Sequence, residues 1–141
     1  WERTQLWKGT WNMIKERPVT GFGINTFSDY FPKYKPQEYW DLRYAHNSYL
    51  QMWSEIGIIG LGVFLALVFI VLRASWRNLR RKIKCGLEGF ILLGAISGYI
   101  AFLIHASVDT GLYSLVLVTQ FWIMTAYIIS LNKAVESKIN A

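Results

Sequence analysis

His46 stands at the head of an apolar face and is the first candidate for proton-transfer chemistry. Tyr49, Leu50 and Trp53 follow it at helical spacing, which places an ionisable group on an otherwise apolar stripe. Imidazole gains or loses its charge between about pH 5 and 8, which suits it to exchange a proton with a substrate. A structural histidine is the alternative. The neighbouring Asn47 is a candidate for substrate contact.

The second histidine, His105, is followed four residues later by Asp109. If a helix continues through both positions, the carboxylate can hydrogen-bond the imidazole and fix its tautomer. This pair is therefore a secondary candidate for catalysis. The alternative is a polar helix end that packs against neighbouring helices.

Arg3 is a candidate for anion binding. It lies four residues before Trp7 on the apolar stripe of a predicted amphipathic helix over residues 2–16, which Pro18 ends. Its guanidinium could hold phosphate oxygens. A snorkelling or salt-bridged arginine is the alternative.

Gly21 and Gly23 surround a bulky residue just before a possible helix cap. Their backbone N–H groups could form a nest for phosphate, although a plain turn is the simpler interpretation because no strand precedes them. Arg43, nearly one helical turn before His46, is a further cation that could contact a substrate.

Three apolar runs follow these candidates, over residues 56–72, 87–104 and 112–131. About 20 helical residues cross a hydrocarbon core of about 30 Å, so each run can span a membrane, the first only just. The first run has no polar side chain, which disfavours a helix of a water-soluble bundle. The runs therefore predict an all-α membrane protein with an extracytoplasmic helical segment before three transmembrane helices.

A basic stretch without acidic residues separates the first two runs. Its members are Arg73, Arg77, Arg80, Arg81, Lys82 and Lys84. Short cytoplasmic loops collect Lys and Arg, so residues 73–86 are predicted inside, together with the tail 132–141. By alternation, residues 1–55 and the turn 105–111 lie outside. This stretch carries most of the net charge of +6, which favours contact with membrane lipids and not with nucleic acid.

The chain begins at Trp1 without a methionine, a signal peptide or a span that would carry residues 1–55 across the membrane. We therefore expect a fragment of a larger polytopic bundle whose N-terminal transmembrane helices are missing. The carboxylates and histidines do not have metal-ligand spacing, so we expect no metal and no cofactor.

Four motifs, in this order, resemble the C-terminal part of the O-antigen ligase and O-antigen polymerase family. They are Arg3-x-x-Leu6-Trp7, Pro18-x-x-Gly21-x-Gly23-x-x-x-Phe27, His46-Asn47-Ser48-Tyr49-Leu50-Gln51 and Glu55-x-Gly57-x-x-Gly60-Leu61. The resemblance covers residues 1–72 by motif and the rest by topology. Lipid A core ligases, repeat-unit polymerases and protein O-oligosaccharyltransferases share these features, so the motifs specify the family and not one member.

The resemblance implies a glycosyltransferase of the bacterial cytoplasmic membrane with its active site on the extracytoplasmic face. Such an enzyme transfers a glycan from undecaprenyl pyrophosphate to a hydroxyl of a glycan, of lipid A core or of a protein. It implies that His46 takes the hydroxyl proton and that Arg3 neutralises the departing pyrophosphate, without a metal and with inversion. The implied secondary substrate contacts are Arg43, Asn47, Gly21 and Gly23. A further arginine from an earlier outer loop would be missing, so the fragment is expected to be inactive alone.

The alternative is a non-catalytic membrane subunit or a transporter fragment whose outer segment binds a partner. A transporter is expected to carry charged residues or Gly/Pro breaks in its spans at mid-membrane. Runs 56–72 and 112–131 contain no charge.

Overall fold

The computed structural model describes residues 2–35, 43–82 and 86–140, and it is helical with no strand in these ranges. Its helices are α1 (Glu2–Glu16), α2 (Phe27–Tyr30), α3 (Ser48–Lys82), α4 (Gly86–His105) and α5 (Leu115–Asn140), with 3₁₀ turns at Phe31–Lys33 and Gly111–Tyr113. Three of them, α3, α4 and α5, are long and apolar enough to cross a membrane. The predicted all-α membrane class is confirmed.

The membrane helices are longer than the apolar runs that predicted them. α3 begins at Ser48 and continues through the basic stretch as far as Lys82, because Arg, Lys and Leu favour helix and no glycine or proline interrupts them. The described part of the predicted inner loop is therefore helical, and Lys84 lies outside the described residues. The predicted inner tail is likewise helical, since α5 ends only at Asn140.

Gly57 breaks α3 near its outer end, with φ 70° and ψ −178°. The loop before α2 supplies the hydrogen bonds that the break removes from the helix. Phe22 N donates to Ser54 O at 3.0 Å, Gly23 N donates to Glu55 O at 2.8 Å, and Ile58 N donates to Pro18 O at 2.9 Å. The helix therefore bends without leaving these polar backbone groups unpaired in an apolar setting.

Two glycines make this contact possible. A Cβ on Gly57 would lie 1.9 Å from Val19 O, and a Cβ on Gly21 would lie 2.3 Å from Glu55 O. Both residues also have positive φ, which glycine adopts without a steric penalty. The second and fourth motifs thus meet in space, backbone against backbone.

α1 packs against α3 through a face that overlaps the predicted stripe only in part, since Ile14 belongs to both. Leu6, Met13 and Ile14 are buried, whereas Trp11 is 45% exposed and touches Trp53 edge-on, with ring centroids 5.5 Å apart. The aromatic residues of the stripe therefore lie at the margin of the packed face. The helix bounds themselves were predicted correctly.

The inner ends of α3 and α5 are joined by polar contacts. Asn78 Nδ2 donates to Asn132 Oδ1 at 2.9 Å, and Asn132 Nδ2 donates to Ser75 Oγ at 2.8 Å. Arg77 pairs with Glu136 at 3.0 Å. These contacts fix α5 beside the basic extension of α3.

Candidate active site at the outer turn

His46 faces Asp109, which lies on the turn 105–111 between α4 and α5, the predicted outer turn. The imidazole Nδ1 lies 3.6 Å from Asp109 Oδ1, and the two side chains are 37% and 43% exposed. This distance is too long for a hydrogen bond but short enough for electrostatic coupling, and such pairs tighten when substrate binds. The structure thus places His46 beside Asp109, the acid that the sequence analysis had paired with His105.

The predicted pairing of His105 with Asp109 through a continuous helix is wrong. α4 ends at His105, and the chain turns at residues 106–110, so the i, i+4 geometry is lost. His105 is exposed at the helix end. It remains close enough for its charge to act on Asp109.

The pKa of the Asp109 carboxyl is held below its ordinary value of 3.8. The largest cause is the backbone N–H of Thr110, which donates to Oδ1 at 2.7 Å; burial opposes it, and His46 and His105 lower the pKa further. Asp109 is therefore ionised at neutral pH. A carboxylate in this position orients an imidazole and stabilises the imidazolium that forms when it takes a proton.

Ser48 fixes the turn that carries Asp109. Its Oγ donates to Asp109 O at 2.9 Å, and its N–H points at both Ala106 O (2.9 Å) and Asp109 O (3.1 Å). Leu112 N donates to the same Oγ at 3.4 Å. Because Ser48 lies two residues after His46 and is fully buried, it ties the acid-bearing turn to the segment that bears the imidazole.

Asn47 caps α3. Its Oδ1 accepts hydrogen bonds from Tyr49 N and Leu50 N, both at 3.0 Å, as an N-cap side chain does. This oxygen is occupied by the cap, so Asn47 positions the start of α3; substrate contact through its Nδ2 group stays a prediction.

The backbone of His46 is held in a conformation that non-glycine residues rarely adopt. Its φ is 48°, in the left-handed region, which costs about 1–2 kcal/mol. The neighbouring hydrogen bonds impose it, since Ala45 N donates to Gln51 Oε1 at 3.0 Å on one side and Asn47 caps the helix on the other. Strain of this kind is commonly found where a side chain must be aimed at a substrate.

Arg3 reaches the same turn from α1. Its Nη1 donates to Val108 O at 2.8 Å, and Val108 is the residue directly before Asp109. The guanidinium has five N–H donors, and the side chain is exposed, so donors remain for an anion. The predicted base and the predicted anion-binding residue therefore approach the same short turn, His46 at Asp109 and Arg3 at Val108.

The glycine nest predicted for phosphate is not formed. Gly21 N donates to Arg17 O at 3.1 Å and Gly23 N to Glu55 O, so both amides are used within the chain. The loop instead binds the Glu55 side chain, whose oxygens accept hydrogen bonds from Asn25 N at 2.9 Å and Phe27 N at 3.3 Å. The glycines therefore serve a helix–loop contact.

Arg43 lies three residues before His46 and is exposed. It makes no ion pair with the described residues. The structure shows no contact that joins it to the turn.

Glu55 and Tyr113 form a buried connection beneath the site that the sequence analysis did not identify. Glu55 is 1% exposed, and Gln51 Nε2 donates to its Oε1 at 3.3 Å. Burial raises the pKa of Tyr113, and the nearby Glu55 carboxylate raises it further, so the phenol stays neutral. The signal available in the sequence was the spacing of Glu55, one helical turn after Gln51.

An imidazole with a carboxylate behind it can take a proton from one group, and a guanidinium bound to the same turn can hold an anion. The model of a family described as O-antigen ligase matches residues 2–65, which include α1, the glycine loop, His46 and the broken part of α3. Comparison with curated proteins and with solved structures finds no significant match. The segment that contains His46 and Arg3 is therefore similar to the O-antigen ligase family, as its four motifs predicted.

Proposed function

We propose that this chain is the C-terminal part of a membrane glycosyltransferase that transfers a glycan from undecaprenyl pyrophosphate to an acceptor hydroxyl. The observation that carries the proposal is the convergence of His46, Asp109 and Arg3 on the outer turn, within a segment that matches the O-antigen ligase family. The acceptor belongs to a glycan, to lipid A core or to a protein.

His46 acts as the general base. Its Nδ1 is buried on the Asp109 side, which assigns the proton to Nδ1 and leaves the Nε2 lone pair for the substrate. Nε2 takes the proton of the acceptor hydroxyl while the hydroxyl oxygen forms a bond to the anomeric carbon. Asp109 stabilises the positive charge that develops on the ring.

Arg3 binds the leaving group. The bond between the anomeric carbon and the pyrophosphate oxygen breaks as the new bond forms, so negative charge grows on the pyrophosphate. The free donors of the guanidinium can meet two oxygens in parallel, which neutralises that charge. Attack from the face opposite the leaving group inverts the anomeric centre.

We infer a metal-independent reaction from the donor set. The described residues hold no group of three His, Cys, Asp or Glu side chains that could bind a metal ion, and the arginine provides an alternative source of positive charge. Residues Arg73, Arg77 and Arg80 on α3 support an orientation with the outer turn on the extracytoplasmic face of the bacterial cytoplasmic membrane.

The broken helix α3 does not favour the transporter alternative. Transporters use unwound backbone at mid-membrane to bind substrate or ions. The break at Gly57 is nearer the outer end of α3, and Phe22, Gly23 and Pro18 already pair the backbone groups that it frees.

The two histidines supply a matched test of the proposal in the full-length protein. His46→Ala should lower transfer from a purified lipid-pyrophosphate donor by about 100-fold to 10,000-fold, the usual contribution of a general base, while the protein still accumulates in membranes. His105→Ala should retain most activity, because His105 acts on Asp109 only through its charge. An active His46→Ala enzyme would refute the proposed site.

A further inference from the structure

A groove of about 430 Å³ lies between α3 and α4, away from the outer turn. Its walls are apolar side chains of α3 from Phe69 to Leu79, together with Ile96 and Ile100 of α4. Arg73 is the charged residue in its lining. The groove plays no part in the proposed transfer reaction, because these residues lie in the half of α3 that ends in the basic stretch.

The length of the groove fits an extended apolar chain. Phe69 and Leu79 are separated by about 15 Å along the helix axis at a rise of about 1.5 Å per residue. This is about half of a hydrocarbon core of about 30 Å, so the groove is long enough for a large part of one extended acyl chain. An acyl chain has this extent and this chemistry.

The arginines around the groove differ in the contacts that their guanidinium groups already make. Arg77 is paired with Glu136 at 3.0 Å, and the Arg80 guanidinium lies over the Trp76 ring, 5.0 Å from its centroid. Arg73 is exposed and makes no ion pair with the residues described in the structure. Its charge is therefore available to an occupant of the groove.

The headgroup end of the groove lies at a membrane boundary. Trp76 is 60% exposed and lines the groove, and exposed tryptophan is enriched at the level of lipid headgroups. Arg73 follows directly after the apolar run 56–72. An occupant with an apolar tail and an anionic head therefore meets apolar walls for its tail and the Arg73 guanidinium for its head.

We propose that this groove binds an anionic phospholipid of the inner leaflet, with one acyl chain between α3 and α4 and the headgroup phosphate on Arg73. A zwitterionic lipid with the same chains fills the apolar walls equally well but carries no net charge for Arg73. One basic residue near the membrane surface contributes a preference of about fivefold for an anionic lipid.

Lipid titration of the full-length protein tests this proposal. The protein is purified in a mild detergent, and bound phosphatidylglycerol and phosphatidylcholine with identical chains are counted by native mass spectrometry. We expect phosphatidylglycerol to bind about fivefold more tightly, with the preference falling as salt is raised. Arg73→Gln should remove the preference, whereas Arg77→Gln, whose charge is already paired, should keep it.

A second pair of variants tests the groove itself. Ile100→Trp fills the space between the helices and should reduce binding of both lipids, whereas Ile59→Trp adds the same ring at an exposed position outside the groove and should not. Equal losses in Arg73→Gln and Arg77→Gln would show a diffuse charge effect and overturn the proposal. Unchanged lipid binding in Ile100→Trp would also overturn it, because the groove would then be filled by another segment or a second copy. None of these readings depends on transfer activity, so the proposal stands or fails separately from the proposed enzyme function.

Discussion

Ser48→Ala tests whether the position of Asp109 matters for transfer, because it leaves the carboxylate in place and removes a contact that holds its turn. The substitution removes the hydroxyl that donates to Asp109 O and that accepts from Leu112 N. Asp109 O still accepts a hydrogen bond from the backbone N–H of Ser48. The variant loses one hydrogen bond and leaves the buried Leu112 N–H unpaired, which should lower the free energy of unfolding by about 1–3 kcal/mol. The backbone conformation of His46 is not touched directly.

The effect on activity should exceed the effect on accumulation. The turn that carries Asp109 loses a direct attachment to the segment that carries His46, and a displacement of about 1 Å in a catalytic group can lower the rate about 100-fold. We expect kcat to fall about 10-fold to 100-fold with a small change in KM, measured by transfer from a lipid-pyrophosphate donor in the full-length enzyme.

Ser54→Ala is the matched control. Ser54 is buried on the same helix, but its Oγ donates to Gln51 O at 2.8 Å and does not touch the outer turn. If Ser48 acts through Asp109, the double variant Ser48→Ala, Asp109→Asn should be no slower than Asp109→Asn alone. Equal rates for the two serine variants, or additive losses in the double variant, would refute the positioning role.

Three further predictions concern charge, backbone and pH. Arg3→Lys should preserve the fold and lower transfer about 30-fold to 1,000-fold, because an ammonium cannot make the two parallel hydrogen bonds of a guanidinium; near-normal turnover would leave Arg3 as a structural tie to Val108. Gly57→Ala should fail to accumulate or should melt at a lower temperature in detergent, whereas Gly62→Ala, whose Cβ meets nothing within 4 Å, should be at least as stable as the parent. The folded state lowers the pKa of Asp109, so its stabilising contribution is present above the ordinary value of 3.8 and is lost as pH falls through the lowered pKa; the melting temperatures of the parent and of Asp109→Asn should therefore differ at neutral pH and converge in strong acid.

Local patterns in the sequence predicted the helices well. The stripe around Trp7 and the stop at Pro18 gave α1 with its correct bounds, because periodicity and proline act within a few residues. α3 continues beyond the predicted span 56–72, since a cluster of basic residues indicates the edge of the membrane and does not stop a helix. The helical extension to Lys82 follows from helix propensity and not from hydropathy.

The site could be predicted only in part. His46 and Arg3 were identified from their places on apolar faces and from motif resemblance, but the partner of His46 was not, because Asp109 lies far away in the chain and has His105 at helical spacing. Whether α4 continues or ends at His105 depends on how the turn packs against Ser48, which is a tertiary contact. Gly21 and Gly23 were assigned to a plain turn or to an anion nest, because their contact with a broken helix can be predicted only if the bend in α3 is known.

The break at Gly57 also constrains how the protein is assembled in the membrane. Until the loop from Pro18 to Gly23 docks, Ile58 N and the Ser54 and Glu55 carbonyls have no partner in a bent helix, and each unpaired group costs several kcal/mol in hydrocarbon. α3 must therefore leave the insertion machinery as an unbroken helix and bend only when the loop arrives. Docking and bending are then a single event, so the first turns of α3 and the strained segment at His46 reach their final direction only after residues 2–35 have folded against them.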